Sequence, residues 1–145
     1  MKMKGSEQDG VYSPAEDTFL LAAAVKKYVA DKVLEIGIGS GLVVSQLVER
    51  SRLAVGVDLD VEVVRKVEEA FKWGWSKVNL VCCDSASPFR EGVFDLVVFN
   101  PPYLPSDETV DRAVDGGRGG VEVSKRWFSE AARCLEEEGR IMFVT

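Results

Sequence analysis

The sequence predicts an α/β fold, a doubly wound parallel sheet, on three observations. Short apolar runs alternate with amphipathic segments along the 145 residues, the rhythm of βαβ crossovers. Runs such as Asp95–Phe99 (DLVVF) are almost wholly apolar, as suits strands covered on both faces. A glycine-rich turn, Gly37–Gly41, joins the first such run to a helical segment.

Taken in order, residues 16–30 (EDTFLLAAAVKKYVA) read as a helix, with Ser13 or a neighbour as cap and Pro14 near the first turn. Lys32–Ile36 is a short strand that runs into the glycines, and Leu42–Arg50 resumes helical spacing. Leu53–Val57 is a second strand ending at Asp58. Over residues 61–73, Val61, Val64, Val67, Ala70 and Phe71 recur at helical intervals. Val78–Cys83 is a third strand and Phe94–Phe99 a fourth. Residues 121–138 predict an amphipathic helix and Ile141–Val144 a fifth strand. Between them, Leu104–Gly120 is rich in Pro, Asp and Gly and reads as a long loop of the kind that is usually functional. No internal repeat, low-complexity tract or linker divides the chain, so residues 1–145 read as one domain.

Composition narrows the chemistry. Hydrophobic residues make up 46% and charged residues 29%, an ordinary soluble mix. There is no histidine, which excludes imidazole acid–base catalysis. A formal net charge of −6 argues against a general polyanion binder. Cys82, Cys83 and Cys134 are odd in number and lack C-x-x-C spacing, so they read as reduced core thiols of a cytosolic protein. The start, MKMKGSEQDG, has no apolar core for a signal peptide, and no membrane-length apolar run follows. The expected location is cytoplasmic.

Three strand ends point to a ligand. Gly37, Gly39 and Gly41 let the backbone pass close to a bound group and supply amides ahead of a helix. Their spacing, G-x-G-x-G with Leu42 next, fails the dinucleotide fingerprint. Glu35, just before the glycines, would repel a pyrophosphate but can orient a cationic amino group. Asp58 ends the next strand, where a carboxylate can accept from both ribose hydroxyls. Asp84, followed by Ser85, ends the third strand in position to accept from an exocyclic adenine amine. An adenosine carrying a zwitterionic amino acid satisfies all three. That description fits S-adenosylmethionine. A plain glycine turn with chance acids would not put three such residues in register.

In that order EIGIGSG, GVDLD, CDSASPF and FNPPY resemble the class I S-adenosylmethionine-dependent methyltransferases. NPPY is similar to the motif of those that modify a planar nitrogen, a glutamine amide or an adenine exocyclic amine. VYSPAEDTFLLAAAV and AVDGGRGGVEVSKRWF resemble the HemK-related branch of archaea and eukaryotes. The resemblance covers Val11 to Thr145 and implies methylation of the glutamine in the GGQ motif of class-one translation release factors. It also implies that Thr18 lies near the methionine end of the cofactor with Glu16 in support. The implied fold is the Rossmann-like class I methyltransferase sheet, lacking its last two strands. Members of this branch work with a small zinc-binding activator subunit that adds a strand to the third strand's edge. An apolar edge strand is an aggregation hazard unless covered, so such a partner is expected here.

The fourth strand stops at Phe99-Asn-Pro-Pro-Tyr103 because two prolines cannot donate to a ladder. An amide nitrogen is a poor nucleophile because its lone pair is delocalised. Acceptors aimed at its hydrogens, the Asn100 oxygen and the Pro101 carbonyl, can hold it pyramidal. Pro101 and Pro102 fix that carbonyl, and Tyr103 offers a flat face to a planar acceptor. Positioning can carry such a reaction without a histidine.

Other residues stay open. Arg118 in Gly116–Gly120 reads as part of a lid over the substrate or of a solvent loop. Trp73 and Trp75 read as packing residues, and Lys125 and Arg126 as a solvated helix face. Cys82 and Cys83 lack metal-ligand partners, and no metal is expected. Adenine methylation on DNA or RNA is the close alternative function, disfavoured by the acidic charge. A non-catalytic cofactor-binding scaffold subunit is the alternative of another class, and the intact Asn100–Tyr103 stretch argues against it.

Overall fold

The computed structural model describes residues 14–72, 78–102 and 121–144. Its elements run α1 (Glu16–Val25), β1 (Lys32–Ile36), α2 (Leu42–Val48), β2 (Leu53–Asp58), α3 (Val61–Phe71), β3 (Val78–Cys82), β4 (Phe94–Phe99), α4 (Glu122–Cys134) and β5 (Leu135–Phe143). The strands form one parallel sheet in the order β3-β2-β1-β4-β5. The chain winds outward from β1 to β3, then returns to the other side of β1 for β4 and β5. That reversal creates a crevice at the C-terminal ends of β1 and β4, where α/β sheets bind ligands.

Alternation along the strands divides the core between the two faces. Val33, Leu96 and Val98 pack with Leu21 and Val25 of α1 and with Val43, Val44 and Leu47 of α2. Leu34, Ile36, Val97 and Phe99 pack with Ala131 and Cys134 of α4. Helix α3 sets Val63 and Val67 against Ile38, with Leu80 of β3 at the margin. Helices on both faces are why the central strands read as unbroken apolar runs. Edge strand β3 buries no residue fully, as its terminal place in the sheet requires.

Several boundaries differ from the sequence reading, each for a tertiary reason. Helix α1 ends at Val25 rather than residue 30. Its last turn tightens through Lys27 and Tyr28 amides bonded to Ala24 and Val25 carbonyls, both at 3.1 Å. The chain must then become extended, because Asp95 accepts from the Asp31 and Lys32 amides at 2.8 Å each. Helix α2 stops at Val48, two residues before Arg50, where the Ser51 hydroxyl donates to the Leu47 carbonyl at 2.9 Å. Helix α3 ends at Phe71, and its inward positions are Val63 and Val67; Val61 and Ala70 are exposed. Ala15 caps α1 without a side-chain bond, and Ser13 lies outside the described residues.

The largest revision is at α4 and β5. The helix ends at Cys134, not 138, and the strand spans Leu135–Phe143, not Ile141–Val144. Leu135 already pairs with Phe94, and Val93 donates to the Cys134 carbonyl at 2.8 Å. From there to the Leu96–Arg140 pair, β5 takes five steps (135 to 140) against two in β4 (94 to 96). The surplus bulges out around Gly139, where a Cβ would lie 2.9 Å from the Glu136 carbonyl oxygen. The acidic run Glu136–Glu138, which continues a helical pattern by composition, is thus the bulge of an edge strand.

Candidate active site

The site is built at the sheet reversal. Leaving β1, the backbone turns through Gly37, Gly39 and Gly41 with φ of +74°, +48° and +79°. At Gly41 a side chain would be strained twice, by the left-handed conformation and by a Cβ 2.9 Å from Val67. At Gly37 a Cβ would lie 2.6 Å from the Trp127 ring. The turn is tied to β2 by Gly37 and Ile38 amides on the Val57 carbonyl, at 2.8 and 3.1 Å.

Asp58 secures the same turn from the neighbouring strand. Its carboxylate accepts from Gly39 N at 3.3 Å and from Asp60 N at 3.0 Å. Burial pushes its pKa up, and those backbone amides pull the other way. Behind the glycines, Glu35 is 4% exposed, with Oε2 unpartnered. Its carboxyl is held well above the usual range, first by burial; the Val44 amide offsets part of this and nearby Asp58 adds to it.

From the fourth strand comes Asn100. Its Nδ2 donates to Asp17 Oδ2 at 3.0 Å, while its Oδ1 is buried and without a partner. Pro101 behind it is buried and Pro102 half-buried. Thr18 is buried on the first turn of α1, Glu16 exposed, and Thr18 N donates to Asp17 Oδ1 at 2.7 Å. After β3, Asp84 is exposed and its Oδ2 pairs with Arg126 of α4 at 2.9 Å. Ser85 is buried, takes φ of +54° without being glycine, and leaves its hydroxyl unpartnered. Arg133 braces this turn by donating to the Ala86 and Phe89 carbonyls.

Four buried side-chain polar atoms lack partners among the described residues: Glu35 Oε2, Ser85 Oγ, Asn100 Oδ1 and Trp127 Nε1. Three belong to the ends of β1 and β4 and the turn after β3, and the fourth sits over Gly37. Buried polar groups are otherwise nearly always satisfied, so a cluster of orphans marks where a polar ligand binds. A carboxylate, a hydroxyl, an amide oxygen and an indole N–H beside a half-buried glycine backbone match a ligand with a cationic amino group and a nucleoside.

Two pairings escaped the sequence reading. Asp17 had no assigned role, although the acidic pair Glu16–Asp17 opens α1. Arg126, read as part of a solvated helix face, is exposed as expected, and its guanidinium also pairs with Asp84. Cys134 is buried, as a core thiol should be, but Cys82 is exposed and Cys83 only partly covered, because β3 is an edge. Burial raises the Cys83 pKa to about 11. Among the described residues no cluster could hold a metal ion. Tyr103, Arg118 with its glycines, the loop at 104–120, Trp73 and Trp75 lie outside the described residues.

A stability prediction follows from Glu35. Its folded-state pKa exceeds the value of about 4.3 expected when unfolded, so the folded chain binds the proton more tightly. Stability is therefore greatest below that value, and falls as pH rises from it through the raised folded pKa. Glu35→Gln should remove this contribution and flatten the loss of stability of the ligand-free protein between pH 5 and pH 8. A smaller slope from Asp58, also raised, should persist. Urea unfolding of both proteins at pH 5 and pH 8 checks this; an unchanged difference between the two pH values would refute it.

Comparison with known proteins bears on what binds there. Residues 3–145 match the methyltransferase small domain family. A Methanocaldococcus jannaschii protein, provisionally named a protein N5-glutamine methyltransferase, is 33% identical over 92% of this chain and 71% of its own length. Methyltransferase HEMK2 of Mus musculus is 34% identical over 98% and 74%. The release factor glutamine methyltransferase of Bacillus anthracis is 29% identical over 77% and 44%. A tRNA1(Val) (adenine(37)-N6)-methyltransferase of Pasteurella multocida is 31% identical over 88% and 58%. Among solved structures, a ribosomal protein L11 methylase from Lactobacillus delbrueckii superposes with a TM-score of 0.66 at 19% identity, over 92% of this chain. The chain spans 62% of that structure's length, and the likeness extends to the fold.

Proposed function

Because the chain belongs to the methyltransferase small domain family, in its HemK-related branch, we propose that it methylates a glutamine side-chain amide of a protein. The substrate is the GGQ glutamine of a class-one translation release factor, and S-adenosylmethionine is the methyl donor. The observation that carries the reading is Asn100: a buried acceptor oxygen, unpartnered, at the end of β4 beside the glycine turn.

The residues gathered at the strand ends fit the cofactor. Glu35 Oε2 suits its amino group, Asp58 its ribose hydroxyls, Asp84 and Ser85 its adenine, and Thr18 its methionine end. Gly37, Gly39 and Gly41 give it backbone to lie against. Bound there, it would supply a methyl group on a sulfonium, whose transfer to the amide nitrogen releases the neutral thioether S-adenosylhomocysteine and one amide proton to solvent. The chain's own task is then positional. Asn100 Oδ1 and the Pro101 carbonyl accept the two amide hydrogens of the glutamine and turn its nitrogen lone pair outward. Prolines at 101 and 102 hold that carbonyl still.

Glutamine is favoured over adenine by two facts. The relatives named for protein glutamine or as HEMK2 match at 33–34% over more of their length than the tRNA enzyme does. A net charge of −6 also suits a protein substrate better than a polyanion. The exposed β3 edge supports a strand-adding partner, a small zinc-binding activator subunit. A translation-factor substrate fits a cytoplasmic location; among the described residues no helix is long and apolar enough to cross a membrane.

The deciding experiment offers labelled S-adenosylmethionine with a release factor, its GGQ Gln→Ala variant, and tRNA or DNA oligonucleotides, with and without the activator. Label should enter the wild-type factor alone. Label on the oligonucleotides would select the adenine reading. Cofactor binding without transfer to any of them would make the chain a scaffold.

A further inference from the structure

The Asn100 oxygen can serve as an acceptor only if its amide faces the right way. An asparagine amide has an oxygen on one side and an N–H2 on the other, and a half-turn exchanges them. Reversed, Asn100 would present donors to a substrate nitrogen that also carries hydrogens. Something must select one orientation. The neighbour that contacts this amide is Asp17, from α1 and 83 residues away in sequence.

A carboxylate only accepts, so the group facing it must be the Asn100 N–H2, as the 3.0 Å contact to Oδ2 shows. The carboxylate is itself held, since its other oxygen accepts from Thr18 N at 2.7 Å. The carboxylate plane is thereby pinned to the first turn of α1, whose Leu21 and Val25 are anchored in the core. One amide hydrogen bond and one side-chain bond then leave Asn100 Oδ1 turned away from Asp17, buried and unsatisfied. We infer that Asp17 is a positioning residue: it locks the Asn100 amide so that its oxygen, not its nitrogen, faces the methyl acceptor. This rests on Asn100 acting as proposed above, and it assigns α1 a part in the reaction beyond packing.

The isosteric variant Asp17→Asn gives an unusual test. If the new amide keeps its oxygen on Thr18 N, its N–H2 faces Asn100. Asn100 must then flip to accept from it and present a donor to the site. Asp17→Ala removes the lock without imposing the reverse orientation. The expected order is therefore counter-intuitive. Turnover should fall by about 100-fold in Asp17→Asn and by only about 10-fold in Asp17→Ala, with S-adenosylhomocysteine affinity unchanged in both. A role in packing alone predicts the opposite order, because asparagine conserves the shape.

A second readout needs no turnover. The Asn100 side-chain N–H2 signals, identified by their loss in Asn100→Ala, should be shifted downfield and slow to exchange in the wild type. They should move toward free-amide positions in Asp17→Ala. Unshifted, fast-exchanging signals in the wild type, or an Asp17→Asn enzyme at least as active as Asp17→Ala, would overturn the inference. Should the wild type methylate no glutamine, the functional proposal fails while the amide signals still decide the role of Asp17.

Discussion

Asn100→Ala should lower methyl transfer by roughly 10²–10³-fold while leaving cofactor affinity nearly intact. The variant removes a buried side-chain acceptor at the end of β4 that has no partner among the described residues. Because that oxygen already lies buried and fixed in the ligand-free protein, its contribution is made without reorganisation when the acceptor nitrogen pyramidalises. The cofactor contacts proposed for Glu35, Asp58 and the glycines lie on other strands and are not touched by the change. Single-turnover rates with labelled cofactor, paired with calorimetric binding of S-adenosylhomocysteine, separate the two effects. Equal turnover in the two proteins would remove Asn100 from the reaction.

Phe99→Ala, one residue earlier, should act through stability instead and cost about 3–5 kcal/mol. Phe99 is fully buried and its ring meets three others: Phe128 at 5.0 Å edge-on, Trp127 at 6.0 Å edge-on and Phe143 at 5.9 Å stacked. These rings join β4, α4 and β5, so truncation leaves a cavity that no single neighbour can fill. Trp127, which covers Gly37, would lose a wall of its pocket, and cofactor affinity should fall as well. Phe99→Leu should cost less, because it returns most of the volume. Urea midpoints for the three proteins test the order; a loss below about 1 kcal/mol in Phe99→Ala would show that the aromatic cluster does not hold this edge of the sheet.

These expectations draw on features of different legibility. Lys32–Ile36 and Phe94–Phe99 are read from the sequence with their observed ends, because continuous apolar runs bounded by Gly or Pro leave little choice. The glycine turn and the carboxylates at 35, 58 and 84 are legible too, since strand ends are marked by a change from apolar to polar. The edge position of β3, implied by the family resemblance, is seen in the sheet. By contrast, the reach of α4 was overestimated. Glu136–Glu138 are good helix formers, and only pairing of Leu135 with Phe94 pulls that segment into the sheet.

By itself, then, the sequence determined the class of fold and the kind of residue at each strand end. Both follow from local periodicity and from the residues that interrupt it. Tertiary structure alone decided which side chains meet. Asp17 finds Asn100 across 83 residues and Arg126 finds Asp84 across 42. Neither pair leaves a periodic trace, because a hydrogen bond between distant segments depends on how helices settle against the sheet. That settling is governed by the packed core beneath them, which no single segment of sequence contains.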